Sequence, residues 1–134
     1  MQNTDDFGKL LLRLILGVLI LLHGIAKIME GPAFIISSVT VAGLPAQLAY
    51  LVYVGEVLAP ILLIVGIWSR PAALVIAGNM VFAIFLVHMK QLVSLNNQGG
   101  WALELQGMFL VTALALVFLG AGRFSVGGRG GKWN

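Results

Sequence analysis

Glu56 lies inside an apolar stretch, Leu48 to Trp68, that holds no other charged residue. An ionisable group at membrane depth costs a few kcal/mol on insertion scales. A carboxylate kept at such a position faces a partner, a cavity or a substrate. His23 and Lys27 stand four residues apart and share one helical face. His88 and Lys90 close a third apolar stretch, and Glu104 opens a fourth. Two carboxylates, two imidazoles and an ammonium group can transfer protons or polarise a carbonyl. Glu56, His23 and Lys27 are therefore the candidate catalytic residues. His88, Glu104 and Arg13 are the candidates for holding the polar groups of a cofactor. No metal site is assigned, because Met29 and Met89, though near the histidines, are too scattered to define a copper centre.

Each of these residues also has a structural reading. Glu56 can form a buried pair with Lys27 or Arg13, and His23 can be a satisfied interior histidine. Glu104 can neutralise a lysine at a helix N-terminus, where the dipole favours its charge. Pro60 adds to the case for Glu56. A proline inside a helix removes the hydrogen bond to the carbonyl four residues back, here that of Glu56 itself. A free acceptor then sits beside a free carboxylate.

Composition fixes the class of element that must position these groups. Of 134 residues, 60% are hydrophobic and 10% charged. A soluble domain carries roughly a quarter charged residues, so this is an all-α integral membrane protein, with length for one domain (1–134) and no second. The absence of cysteine excludes thiol–disulfide chemistry, c-type haem attachment, cysteine-held iron–sulfur clusters and thiolate zinc. The net charge of +3 comes from residues that flank apolar segments. Lipid head groups and topology account for them, without nucleic acid.

Four segments meet the need for about 20 mostly apolar residues per span. They run from about Lys9 to Met29, Gln47 to Trp68, Pro71 to Met89 and Trp101 to Gly122. The first is not read as a signal peptide, since His23 and Lys27 interrupt its end and no small-x-small site follows. The segments predict a four-transmembrane-helix antiparallel bundle. Glu30 to Pro45, with Phe34, Ile35, Ile36, Val39 and Val41 and punctuated by Gly31-Pro32 and Gly43-Leu44-Pro45, predicts a short interfacial segment between the first two helices. Trp68 to Pro71 form a tight link, with Pro71 suited to a first helical position. Lys9, Arg13, Arg70, Arg123, Arg129 and Lys132 fall on one side and only Lys27 and Lys90 on the other. This bias puts both termini in the cytoplasm. Glu56, about 13 Å into its span at 1.5 Å per residue, then lies in the outer half with the other candidates. The inner half is left nearly bare apart from Arg13 and Asn79. Gly17 and Gly24 permit close helix packing, as do Ala73 and Ala77. The glycine-rich tail, Gly127 to Asn134, reads as flexible.

The order of several motifs resembles the DoxX family of small four-helix membrane proteins. Arg13-Leu14-Ile15-Leu16-Gly17 and His23-Gly24-Ile25-Ala26-Lys27 match its R-x-x-x-G and x-G-x-x-K signature. Gly43-Leu44-Pro45 matches its G-x-P, and Glu56 its intramembrane glutamate. Gly66-Ile67-Trp68-Ser69-Arg70 matches its G-x-x-x-R, and Gly120-Ala121-Gly122-Arg123-Phe124-Ser125 resembles its G-P-G-R-Y-S. Ala121 and Phe124 depart from that last motif. Val126-Gly127 stands where Leu-Asp is common.

The resemblance implies a bacterial inner-membrane protein with a link to quinone or sulfur redox work. Under that expectation His23, Lys27 or His88 donates to a quinone carbonyl, Glu56 relays protons and apolar walls hold the isoprenoid tail. A haem held by His23 and His88 is the lesser variant. The chain has no flavin, haem or iron–sulfur motif, so electrons would come from a partner redox protein or a small reductant. Other expected associations are the lipid bilayer and a homo-oligomer. A non-enzymatic assembly protein and a small transporter are the competing readings. The apolar inner half speaks against a simple pore.

Overall fold

The computed structural model describes all 134 residues and is all-helical apart from one isolated bridge between Leu95 and Trp101. Helix α1 spans Gln2–Glu30. It is longer than expected because polar residues before Lys9 add turns, with Asp5 placed in the first turn where the helix dipole favours a negative charge. Its 29 residues measure about 43 Å, against about 30 Å of hydrocarbon. Gly31 ends it at φ 84°, a left-handed conformation that glycine adopts without penalty.

The segment expected at the interface is helix α2, Ala33–Val41. It buries Ile35 and Val39 against Ala49 and Val52. Those two residues belong to α3, the continuous helical segment Ala46–Val65. Helix α4 follows as Ser69–Gln91, and α5 spans Glu104–Leu119. Helices α1, α3 and α4 are long and apolar enough to cross a membrane, while α5 is a shorter apolar helix of 16 residues. Apolar side chains such as Leu22, Leu51, Phe85, Val111 and Phe118 are exposed, as a lipid-facing surface requires.

Two helices stop earlier than their apolar runs suggest. Helix α3 ends at Val65, because Gly66 turns left-handed at φ 84° and Trp68 follows at φ 49°. The α3–α4 link is therefore Gly66–Trp68, and Pro71 falls two residues after Ser69, within the first turn of α4. Helix α5 ends at Leu119, where Gly120 takes φ 76°.

The core is built from Leu16 and Ile20 of α1, Leu63 of α3, Ile76 of α4, and Phe109 and Leu116 of α5. Alanines fill the remaining positions, including Ala73, Ala77 and Ala113. Small residues let helices approach closely where no hydrophobic drive holds them together. Ala73 and Ala77 thus serve contacts within this chain.

Arg13 organises one end of the molecule. It is 1% exposed. Its Nε donates to the Leu63 carbonyl at 2.9 Å and Nη2 to that of Ile64 at 2.9 Å. Nη1 donates to the carbonyls of Ala121 and Phe124 at 3.0 and 2.9 Å. Leu63 and Ile64 lie in the last turn of α3, where carbonyls lack intrahelical partners. Arg70 acts similarly on α5, with Nη1 donating to Val117 and Phe118 at 2.8 Å each.

The tail does not behave as the expected flexible segment. Val126 and Gly127 donate to the carbonyls of Val65 and Gly66, and Ala121 donates to that of Asn134 at 2.7 Å. Asn134 is 7% exposed, and its side chain bonds the Ser69 amide, Ser125 Oγ and the Gly128 carbonyl. Arg129 pairs with buried Asp6. Glycine composition here reflects close backbone approach: a β-carbon on Gly127 would lie 2.8 Å from Asn134 Nδ2.

Candidate functional site

Lys27, near the end of α1, reaches across to α3. Its Nζ lies 2.6 Å from Glu56 Oε1 and 2.7 Å from Oε2, a two-pronged contact. The Glu56 side chain is 3% exposed and that of Lys27 32%. Asn79 of α4 donates from Nδ2 to Glu56 Oε1 at 3.1 Å. The Tyr53 hydroxyl donates to the Lys27 carbonyl at 3.3 Å, tying the end of α1 to α3.

Local sequence explains the approach of these helices. A β-carbon on Gly24 would collide with the Glu56 carbonyl oxygen, so only glycine lets α1 lie this close. A β-carbon on Gly55 would lie 2.6 Å from Asn79 Cβ, so Gly55 admits α4 in the same way. Between Val54 and Leu58 the helix widens into a π turn that contains Glu56. Pro60, which has no N–H for the Glu56 carbonyl, follows directly. The carbonyl anticipated as a free acceptor is the atom against which Gly24 packs. A second π turn, Ile84–His88, carries His88. Such turns occur frequently at functional sites.

A cavity of about 110 Å³ opens beside the ion pair. His23, Lys27, Glu56, His88, Gln106 and Phe109 contribute to its wall. The His23 ring meets Phe109 edge-on, with centroids 5.9 Å apart. His88 Nδ1 sits 2.9 Å from Gln91 Oε1. This volume holds a few water molecules and is smaller than the roughly 300–1,000 Å³ of pockets that enclose drug-sized ligands. The ion pair, imidazoles and amide around it suit proton storage and transfer.

Four of the six candidates therefore meet: His23, Lys27, Glu56 and His88. Glu104 does not line the cavity; it is exposed and accepts from Asn96 Nδ2 at 3.3 Å. Arg13 lies at the other end of α1, with its donors on four carbonyls.

Two polar residues join the site without having been expected there. Counting from one end of its span sets Glu56 in the outer half and Asn79 apart from it. Glu56 is in fact mid-span, ten residues after Ala46 and nine before Val65, and Asn79 stands ten residues after Ser69. The signal for Asn79 was available, since a lone amide in an apolar span carries the same implication as a lone carboxylate. Gln106 lies three residues before Phe109 and so shares its helical face.

The DoxX family profile matches residues 8–89. The chain belongs to the DoxX family. A Bacillus subtilis protein named "Putative oxidoreductase CatD" is 32% identical over 92 residues, covering 67% of this chain and 66% of that protein. An uncharacterized Haemophilus influenzae protein is 32% identical over 125 residues, covering 91% of this chain and 92% of its own length. No solved structure matches this DoxX chain. Within the matched region, Arg13, Gly17 and Gly66 fall at one end, while Gly24, Lys27 and Glu56 build the cavity region.

Proposed function

We propose that this DoxX protein is a quinone-linked redox protein, or a subunit of a membrane oxidoreductase, in which Glu56 relays protons. One observation carries the reading. A carboxylate at mid-span is paired with an ammonium group and an amide, and adjoins a cavity lined in part by two imidazoles. A structural ion pair requires no such cavity. The name of the Bacillus relative, which calls that protein an oxidoreductase, agrees with this assignment.

Reduction of a quinone to a quinol takes up two electrons and two protons. This chain's part is the protons: Glu56 takes up each of the two in turn and passes it to the head group, Lys27 sets its charge, and His23 or His88 connects it to the cavity mouth. The electrons come from a partner protein or a small reductant. The setting in this reading is a bacterial inner membrane, with α1, α3, α4 and α5 as four antiparallel spans of a single domain. The Arg13 end faces the cytoplasm, where Lys and Arg accumulate.

The test compares wild type with Glu56→Gln in cell membranes. The ratio of quinol to quinone and the amount of this protein are measured together. Loss of the protein's effect on that ratio, with its amount unchanged, supports the relay. An unchanged ratio, or a variant that is merely degraded, overturns it. A fall in the level of another membrane complex, with the ratio per complex unaltered, assigns an assembly role instead.

A further inference from the structure

A second cavity, of about 330 Å³, lies between α3 and α4 on the other side of Asn79. This volume falls in the range of small-molecule pockets. Leu51, Val54, Val75 and Phe82 form apolar walls, and Gly55 and Gly78 leave room between them. The polar side chain in its lining is Asn79, itself 8% exposed.

The chemistry of Glu56 fixes what Asn79 offers to this groove. A carboxylate paired with Lys27 only accepts hydrogen bonds, so the amide turns its Nδ2–H to Glu56. Its other pole, Oδ1, accepts no hydrogen bond from the protein. Nor is it among the fully enclosed side-chain atoms without a partner, where Ser69 Oγ stands alone. Asn79 lines this groove and not the Glu56 cavity. The groove therefore ends on an acceptor.

Depth narrows the ligand. Asn79 stands about 15 Å along α4 at 1.5 Å per residue, close to the middle of a 30 Å hydrocarbon layer. Phospholipid acyl chains bring no donor to that depth. A quinol does, because its ring hydroxyls donate and its tail is soluble in the hydrocarbon. A quinone offers only carbonyl acceptors and leaves Oδ1 unsatisfied.

We propose that the α3–α4 groove is a quinol site, in which Asn79 Oδ1 accepts a ring hydroxyl and thereby selects the reduced over the oxidised head group. This deepens the quinone-linked reading and rests on it for the choice of ligand. The bound hydroxyl, Asn79, Glu56 and Lys27 then form one hydrogen-bonded chain between groove and cavity, in which each bond polarises the next.

Gly78 supplies the test. A β-carbon there meets nothing within 4 Å and Gly78 lines the groove, so Gly78→Leu introduces its side chain from an open position in the wall. Replacing a mid-helix glycine also favours the helix. Binding of decylubiquinol and of decylubiquinone is measured on purified protein in detergent, under reducing and oxidising conditions respectively. The expected result is preferential binding of the quinol by about tenfold, the worth of one such hydrogen bond. Gly78→Leu abolishes binding of both, and Asn79→Leu removes the preference. Equal binding of both forms, or a preference unaffected by Gly78→Leu, overturns the site. Only ordinary lipid displacing the probe with equal strength does the same. These readouts are independent of turnover. Quinol binding without any change in the membrane quinol ratio would sink the redox function and leave the groove standing, and the reverse pattern would do the opposite.

Discussion

This molecule buries charge in two regions, one at an end and one at mid-span, and does so differently. At one end Arg13 is wholly enclosed, and its donors rest on four backbone carbonyls from α3 and the segment that follows α5. Asp6 is likewise enclosed by Arg129 and by the Arg123 amide. At mid-span, Glu56 is paired through a lysine that remains 32% exposed. It also lines one cavity, and Asn79, which donates to it, lines a second. The first arrangement leaves little that can change: a guanidinium on carbonyls has no proton to give at any ordinary pH. The second is adjustable, because a lysine, a carboxylate and two imidazoles can all exchange protons. The same family signature thus separates into a clamp and a site.

The sharpest way to break that comparison is Arg13→Leu. Four carbonyls then lose their partner in a buried setting. At about 1–3 kcal/mol for each unsatisfied group, the expected loss is at least about 4 kcal/mol. The protein should vanish from membranes or melt at much lower temperature in detergent. Arg13→Lys should recover only part of this, since a compact ammonium cannot span carbonyls from two segments. Any Arg13 variant that survives should keep its activity per molecule. An Arg13→Leu protein that melts like wild type would show that the clamp does not hold the fold.

The Lys27–Glu56 pair should respond in the opposite manner. Lys27→Met leaves a buried carboxylate unpaired, with an expected cost on the order of 3 kcal/mol. Adding Glu56→Gln should restore most of the stability, though not the activity. Thermal melting of the two single variants and the double variant gives the coupling, and strict additivity would rule the pair out. Gly24→Ala should follow, at about 1–3 kcal/mol for overpacking, because its methyl group meets the Glu56 carbonyl and Val57 Cγ2. The difference between wild type and variant in Lys27–Glu56 coupling reports whether the helices have moved apart.

Much of this was legible in apolar runs and lone polar residues. The three long helices and the α2 segment follow from stretches of the right length, and the Lys27–Glu56 pair was among the partners foreseen. Helix ends were not legible. Gly66 and Gly120 stop α3 and α5 through a positive φ although both sit within apolar sequence. The tail misled for a related reason. Its glycines suit a flexible linker and a tightly packed turn equally well, and the difference lies in partners such as Val65 and Ser69, more than 50 residues away in sequence. Asn79 is legible as a lone amide, and its level with Glu56 emerges only when each residue is counted from both ends of its helix.

The smallest expected effect concerns Glu104, which the residue pattern grouped with the cofactor-holding candidates. Its carboxylate is exposed and its side-chain hydrogen bond comes from Asn96 at 3.3 Å. Asn96 is otherwise held by its own turn, with Oδ1 accepting from the amides of Gln98 and Gly100. Glu104→Gln keeps the side chain's size and an acceptor for Asn96, and loses only a charge near the start of α5. Surface changes of this kind stay within about 0.5 kcal/mol. The melting temperature, quinol binding and the membrane quinol ratio should therefore all match wild type. A loss of binding or ratio at full stability would extend the functional region from the cavity out to the α4–α5 turn. The contrast would then lie between one closed end and one wholly reactive end, instead of between a clamp and a buried site at mid-span.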